Sequence, residues 1–225
     1  QRIARLGNIR VLISIEGFRE NTDARRGVGV FDIVVRCLEL CRQANIIYGA
    51  SVTVTRKNFQ EVTSNEFIEW LVGRGALHVN YIPFMPMGRD EHQLTLTTAQ
   101  VRELDGFARS VVERYPIFPS VGRSGSDLVT NCDAANRMLH ITADGDVEPC
   151  MFVPWTAGNI KTQTILEVMQ SPFFRTIRGL NQTGETGLNP CKWQNSRFLE
   201  LALRESGAHP TREKKEVLHG EPLGK

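Results

Sequence analysis

The sequence has no apolar run long enough to cross a bilayer and no segment typical of a signal peptide. It also lacks a strong charge of either sign, since 27 basic residues face 25 acidic ones and leave a net charge of +2. That excess is too small to favour nucleic acid or an anionic membrane as a partner. With 41% hydrophobic and 23% charged residues, the composition is ordinary for a globular chain. We therefore expect a cytoplasmic protein that binds neither nucleic acid nor membranes.

Cysteine is scarce too, and its five positions show no regular spacing. An odd number of irregularly placed cysteines argues against a disulfide framework. Cys37 and Cys41 lie within a helical pattern and are expected to be ordinary helix cysteines. Cys132 and Cys150 bracket a short hairpin pattern and Cys191 follows, so these three thiols are expected to share a metal ion or a cluster.

Up to about residue 115 the chain alternates β and α patterns at intervals of about 30 residues, which is typical of a parallel sheet in the α/β class. Apolar β-branched runs predict three strands, and apolar residues at helical spacing predict a helix after each of them. A polar loop is expected over 18–29 and a linker over 115–129. The predicted strands are Arg10–Ile15, Gly49–Thr55 and His78–Phe84, and the predicted helices are Val30–Gln43, Asn65–Arg74 and Thr98–Arg114.

The second part of the sequence is expected to centre on a hairpin. Leu139–Thr142 and Val147–Met151 are the predicted strands, and Gly145 lies in the tight turn between them. Glu148 is expected to be solvated, and His140 to have a structural role. Short helices are expected over 164–170, 173–180 and 196–205, and core positions at Trp155, Phe173, Phe174 and Trp193.

Several short motifs occur in an order that resembles one enzyme family. They are Ser14–Gly17 (SIEG), Arg26–Phe31 (RGVGVF), Ser51–Thr55 (SVTVT) with Asn58, Pro83–Arg89 (PFMPMGR), Leu139–Cys150 (LHITADGDVEPC) and Ala157–Ile160 (AGNI). In this order they resemble the C-terminal portion of a radical S-adenosylmethionine (SAM) enzyme of the SPASM/twitch type. The spacing Cys132-x12-Gly145-x4-Cys150, followed by Cys191, resembles the auxiliary-cluster motif of that family.

Two family motifs are absent from the sequence. One is the Cys-x3-Cys-x2-Cys loop that holds the SAM-cleaving cluster, and the other is the Gly-Gly-Glu motif that holds the SAM amino group. The chain also begins at Gln1 without an initiator methionine. We therefore expect a piece of a longer enzyme that cannot cleave SAM by itself.

The resemblance implies a plan for the domains. Residues 1–115 would be the last three βα units of a partial (β/α)6 TIM-like barrel. Residues 116–211 would form a small α+β domain for an auxiliary iron–sulfur cluster, and residues 212–225 a flexible tail.

The resemblance also implies roles for individual residues. Ser14 would contact the methionyl or ribose part of SAM, and Arg25 or Arg26 its carboxylate. The full set of implied SAM-binding residues is Ser14, Glu16, Arg25, Arg26, Ser51, Thr53 and Pro83. An auxiliary [4Fe–4S] cluster would be held by Cys132, Cys150 and Cys191. Its fourth ligand stays open among His140, Asp146, His209 and an exogenous group, and from the residues alone a structural zinc is an equal choice.

The function implied belongs to the full-length parent, which would carry a second [4Fe–4S] cluster for reductive SAM cleavage. Its radical chemistry would modify a peptide or protein, or mature a cofactor, with a reductant such as ferredoxin or flavodoxin. A small-molecule substrate is equally compatible with the motifs. The alternative is a non-catalytic iron–sulfur or zinc-binding module for electron transfer or scaffolding.

Overall fold

The computed structural model describes residues 2–86, 92–122, 132–181, 196–204 and 206–211. The described residues up to Gly122 form one compact unit, and those from Cys132 onwards form a second. Within these ranges no helix is both long and apolar enough to span a membrane.

The first unit is built on a four-stranded parallel sheet in the order β1-β2-β3-β4. The strands are β1 Val11–Ser14, β2 Tyr48–Val54, β3 His78–Pro83 and β4 Phe118–Val121. The helices are α1 Arg2–Leu6, α2 Arg19–Arg26, α3 Val30–Gln43, α4 Phe59–Val62, α5 Asn65–Gly73 and α6 Thr98–Arg114, with a 3-10 turn at His92–Leu94.

Local sequence signals explain helices α5 and α6, which, like α3, were predicted to within one residue. Ser64 caps α5 by accepting a hydrogen bond from the Phe67 N–H at 3.1 Å. Thr97 and Gln100 form a reciprocal capping box at the start of α6. These caps satisfy N–H groups that have no partner within the helix.

The predicted linker over 115–129 is wrong over Phe118–Val121, because these residues form the fourth strand. β4 pairs with β3 in parallel, with Phe118 opposite His78 and Ser120 opposite Asn80. The sheet therefore has four strands rather than the three predicted. The first unit reaches at least Gly122, beyond the predicted boundary at residue 115.

Helix α2 lies where a polar loop was predicted, because tertiary contacts stabilise its start. The Phe18 ring packs edge-on against Phe67 and Trp70, with centroids 5.7 and 5.9 Å away. The carboxylate of Glu61 accepts hydrogen bonds from the Phe18 N–H at 2.8 Å and from the Asn21 amide at 2.5 Å. A carboxylate from α4 thus supplies the cap that the sequence of α2 lacks.

The two faces of the sheet differ in polarity. On one face Ala50, Val52, Val79 and Tyr81 are at most 1% exposed and pack with helix residues into the main core. The alternate positions of β2 and β3 point to the other face and are mostly less buried and more polar. We call this second surface the polar face.

The second unit contains the hairpin and a small core. Its strands are β5 His140–Ile141, β6 Val147–Glu148, β7 Trp155–Thr156 and β8 His209–Pro210, and its helices are α7 Ile165–Met169, α8 Pro172–Asn181 and α9 Ser196–Leu203. β5 and β6 pair antiparallel over two residues each, which is shorter than predicted. Phe173 and Phe174 are fully buried in the core of this unit, as predicted, and the half-buried Trp155 packs against the same core. Trp193 and residues 212–225 lie outside the described residues.

Candidate functional site

One polar side chain from each strand of the sheet lies in a single row on the polar face. The parallel register sets Ser14 opposite Ser51, Ser51 opposite Asn80, and Asn80 opposite Ser120. Directly paired residues in adjacent strands share a face, and strands are about 4.8 Å apart, so the row extends for about 14 Å. All four residues are half-buried. Ser14 and Ser51 were predicted from the sequence, whereas Asn80 and Ser120 were missed.

The first two members of the row present hydroxyl groups that have no partner among the residues the structure describes. In the part of the chain that the structure describes, no hydrogen bond is formed by the side-chain hydroxyl of Ser14 or of Ser51. Half-buried hydroxyls that the protein leaves unpaired are available to a polar ligand. This end of the polar face is thus able to bind one.

Asn80 and Ser120 instead belong to a hydrogen-bonded chain with His78. The Ser120 hydroxyl donates to Asn80 Oδ1 at 2.9 Å and lies 2.9 Å from His78 Nε2. His78 is 7% exposed, and its ring stacks on Phe118 with centroids 5.9 Å apart. Burial, together with the positive charge of Arg10, lowers the pKa of His78, which favours its neutral form.

Beyond the C-terminal end of β1, the buried Glu16 forms an ion pair with the more exposed Arg26. Glu16 Oε1 accepts from Arg26 Nε at 2.9 Å and lies 2.6 Å from its terminal nitrogen, while Oε2 accepts from the Thr53 N–H at 3.1 Å. Glu16 is 1% exposed. Burial raises the pKa of Glu16, although Arg26, Arg25 and the Thr53 N–H act in the opposite direction. Both partners of this pair were predicted to bind SAM, and here they bind each other.

Arg25 is the less constrained of the two neighbouring arginines. Its Nε lies 3.6 Å from Glu16 Oε1, and its guanidinium sits over the Phe84 ring at 5.3 Å. Its side chain is 36% exposed. Because only one edge faces Glu16, Arg25 keeps hydrogen-bond donors for an anionic group.

Asn58 ties the ends of β1 and β2 together. Its amide donates to the backbone oxygens of Glu16 and Thr53, both at 2.9 Å. Its Oδ1 accepts from the N–H of Thr55 at 2.7 Å and from the Thr55 hydroxyl at 3.0 Å. At 3% exposure this amide is fully engaged, so its role is to hold the backbone that carries the site.

Pro83 does not share the polar face with Ser14, Ser51 and Thr53. It pairs with Val54 at the end of β3 and is buried, three positions after Asn80. Alternation along the strand therefore directs its ring to the core face. Thr53 has the parity of Ser51 and lies on the polar face.

In the second unit, Cys132 and Cys150 contact the same small core. The Ala135 N–H donates to the Pro149 carbonyl at 2.9 Å, which joins the segment after Cys132 to the one before Cys150. Cys150 is 4% exposed, and its carbonyl accepts from the Val153 N–H at 3.0 Å. Cys191 lies outside the described residues, and within them no three His, Cys, Asp or Glu side chains form a group that could hold a metal ion.

The prediction that Glu148 is solvated is wrong. Glu148 is fully buried, and its Oε2 lies 2.6 Å from His140 Nδ1 on the paired strand. The neighbouring Val147 N–H donates to the Gly158 carbonyl at 3.0 Å, so this strand is flanked on both sides. Metal-binding histidines commonly have one ring nitrogen hydrogen-bonded to a carboxylate in this way, while the other nitrogen binds the metal.

Gly145 has a backbone reason to lie in the hairpin turn. Its φ is +89°, and a Cβ at this position would lie 2.9 Å from Asn159 Oδ1. The Asn159 amide donates to the Asp144 carbonyl at 3.0 Å and to Asp146 Oδ1 at 2.9 Å. The glycine in the spacing Cys132-x12-Gly145-x4-Cys150 is therefore what lets Asn159 close the turn.

Comparisons with known proteins address both units. Residues 132–196 match the family model of SPASM, described as an iron–sulfur cluster-binding domain. An AdoMet-dependent heme synthase of Methanosarcina barkeri (strain Fusaro / DSM 804) is 25% identical, over 79% of this chain and 58% of the synthase. The chain thus spans little more than half of that relative.

Solved structures of two proteins share the fold. Streptococcus suis SuiB aligns with a TM-score of 0.65 at 13% identity, over 79% of this chain and 47% of SuiB. The protein anSMEcpe with bound AdoMet aligns with a TM-score of 0.62 at 17% identity, over 97% of this chain and 65% of that protein. SuiB has also been solved bound to its precursor peptide SuiA, and that structure aligns with a TM-score of 0.62 at 12% identity, over 80% of this chain and 46% of SuiB.

Proposed function

Because this chain belongs to the radical SAM family of the SPASM/twitch type, we propose that its sheet is part of a partial (β/α)6 barrel that binds SAM. The polar face would be the inside of that barrel. The observation that carries the proposal is the row of Ser14, Ser51 and Asn80, which places side by side two hydroxyls and one amide NH2 that have no hydrogen-bond partner among the described residues.

In this proposal Ser14 and Ser51 contact SAM, and Arg25 binds its carboxylate. Glu16 and Arg26 are the base of the site, because their ion pair holds the end of β1 and the arginine-bearing helix together. Arg25 is the better carboxylate ligand of the two, since Arg26 already makes two contacts with Glu16.

The second unit would hold an auxiliary [4Fe–4S] cluster through Cys132, Cys150 and Cys191. Thiolates are the usual ligands of such clusters, and the hairpin joins the segments of the first two cysteines. A bound cluster supplies a store for one electron and an iron corner that a fourth ligand can occupy. The protein's part is to exclude water, since Cys150 lies in an apolar core.

The full-length protein would then modify a peptide or protein, or mature a cofactor, with electrons from a ferredoxin or flavodoxin. A peptide substrate is consistent with the SuiB complex, and a cofactor substrate with the heme synthase.

The test of the cluster is iron and sulfide content after anaerobic reconstitution. We expect about four irons and four sulfides per chain, lost in each of Cys132→Ala, Cys150→Ala and Cys191→Ala. Cys37→Ala, on helix α3, is the matched control and should retain both. One zinc without sulfide would overturn the cluster and support the alternative of a zinc-binding scaffold.

The test of the SAM site is direct binding of SAM to the reconstituted chain, measured by saturation-transfer NMR. Ser51→Ala is expected to weaken binding about 2- to 10-fold, the equivalent of one neutral hydrogen bond. Arg25→Ala removes a charged one and should cost about 10-fold or more. The exposed Asn65→Ala is the control. Absence of binding to the unaltered chain would overturn the proposal for this unit.

A further inference from the structure

The hydrogen-bonded trio His78–Ser120–Asn80 on the polar face determines which atom donates in each of its two hydrogen bonds. A serine hydroxyl has one proton, and Ser120 gives it to Asn80 Oδ1 at 2.9 Å. The contact of 2.9 Å between Ser120 Oγ and His78 Nε2 must then be donated by the imidazole. His78 therefore carries a proton on Nε2, and burial favours its neutral form, in which the buried Nδ1 is an acceptor without a partner in the described residues.

The hydrogen bond from Ser120 also orients the Asn80 carboxamide. Its oxygen accepts the hydrogen bond from Ser120 on β4, which leaves its NH2 group as a donor that Ser120 does not use. On the neighbouring strand β2, the register partner of Asn80 is Ser51. Neither the Asn80 NH2 nor the Ser51 hydroxyl has a hydrogen-bond partner among the residues described.

We infer that Asn80 is a SAM-recognition residue, whose NH2 group donates to an acceptor oxygen of the SAM molecule that Ser51 contacts. Ser120 and His78 are positioning residues, which act by holding the carboxamide in this orientation. The inference rests on the proposed SAM site. A ligand seated on Ser51 meets Asn80 next, because adjacent strands are only about 4.8 Å apart.

Substitutions of Asn80, Ser120 and His78 are expected to affect SAM binding to different extents. Asn80→Ala removes the donor and should weaken SAM binding about 3- to 10-fold. Ser120→Ala leaves the donor but releases the carboxamide, so a smaller loss of about 2- to 4-fold is expected. His78→Ala should resemble Ser120→Ala. His78→Gln should restore binding, because its side-chain NH2 can replace the Nε2–H donor.

The experiment is saturation-transfer NMR titration of SAM into the reconstituted chain, with Asn65→Ala as control. A second readout is the 15N spectrum of His78, which reports its tautomer directly. The Nε2–H tautomer should be present in the unaltered protein and mixed with the Nδ1–H form in Ser120→Ala. Titrating methionine and adenosine separately identifies which part of SAM carries the acceptor oxygen.

The outcomes separate this inference from the proposal on which it rests. If the unaltered chain binds SAM, Ser51→Ala weakens it and Asn80→Ala does not, the inference is wrong and the SAM site stands. If the unaltered chain binds no SAM, the proposed function itself fails. If Asn80→Ala weakens binding but His78 shows the Nδ1–H tautomer, the positioning roles of His78 and Ser120 are wrong.

Discussion

Replacing Asn58 by alanine should destabilise the first unit strongly, although the residue contacts no proposed ligand. The side chain is 3% exposed and makes four hydrogen bonds, two as donor and two as acceptor. Each such bond contributes about 1 kcal/mol net. The expected loss is therefore about 4 kcal/mol in the free energy of unfolding, because alanine leaves the backbone oxygens of Glu16 and Thr53 buried without these donors.

The assay is urea unfolding followed by the fluorescence of Trp70, which lies in the first unit. Trp155→Phe and Trp193→Phe in every variant make Trp70 the only tryptophan, since the sequence contains three. With a denaturant slope of about 2.5 kcal/mol per molar, the midpoint should fall by about 1.5 M. The control Asn65→Ala removes only an exposed hydrogen bond from Arg114 at 3.0 Å and should change the free energy by less than about 0.5 kcal/mol.

A second variant at the same position separates the donor bonds from the acceptor bonds. Asn58→Asp keeps an oxygen for the Thr55 N–H but brings a carboxylate against the carbonyl oxygens of Glu16 and Thr53. We expect it to be at least as unstable as Asn58→Ala at pH 7. A midpoint for Asn58→Ala no lower than that of Asn65→Ala would refute the reasoning, and a fully stable Asn58→Asp would refute the part assigned to the donors.

Three further predictions concern pH, the hairpin turn and catalysis. The pKa of His78 is lowered in the fold, so the unfolded chain binds this proton more readily than the folded one. The stability that the neutral His78 contributes is therefore complete above about pH 6.5 and is lost as pH falls. His78→Gln should flatten the resulting decline in the urea midpoint between about pH 7.5 and pH 5.5. Gly145→Ala should cost about 1–2 kcal/mol of stability in the second unit and lower its iron content, because φ is +89° and Asn159 blocks the Cβ. The control Gly179→Ala, in helix α8, has open space around its Cβ and should be neutral or stabilising in thermal melting. The chain lacks a Cys-x3-Cys-x2-Cys motif, so anaerobic assays with SAM and dithionite should yield no 5′-deoxyadenosine above a no-protein control, and formation of that product would contradict this expectation.

Elements with local signals were predictable from the sequence. The helix after Ser64 and the helix after Thr97 each carry a cap within their own first turn, and their apolar spacing identifies the buried side. The first three strands are β-branched or apolar runs at regular intervals. None of these features depends on residues distant in the chain.

Elements that depend on distant residues were missed. Helix α2 takes its cap from Glu61, forty residues further along the chain, and no pattern within α2 reveals this. β4 is four residues long and contains a proline, so it becomes a strand only beside β3. The burial of Glu148 follows from the strand segments on both sides of it, and a sequence read locally places a lone glutamate in solvent.

The candidate site was predictable in part for the same reason. Ser14 and Ser51 follow from motifs within single strands. Asn80 and Ser120 enter the row only through the register between strands, and Ser120 also required β4 to be recognised. Counting alternate positions from Ser51 across a known register would have found both.

The capping of α2 by Glu61 has a consequence for the order in which this chain acquires structure during synthesis. Arg25 and Arg26 leave the ribosome long before Glu61, so the helix that carries them has neither its cap nor the Phe67 and Trp70 packing when it first appears. Loop closure across this separation must precede its consolidation. The arginine-bearing helix is therefore completed only after the second βα unit has folded onto the first.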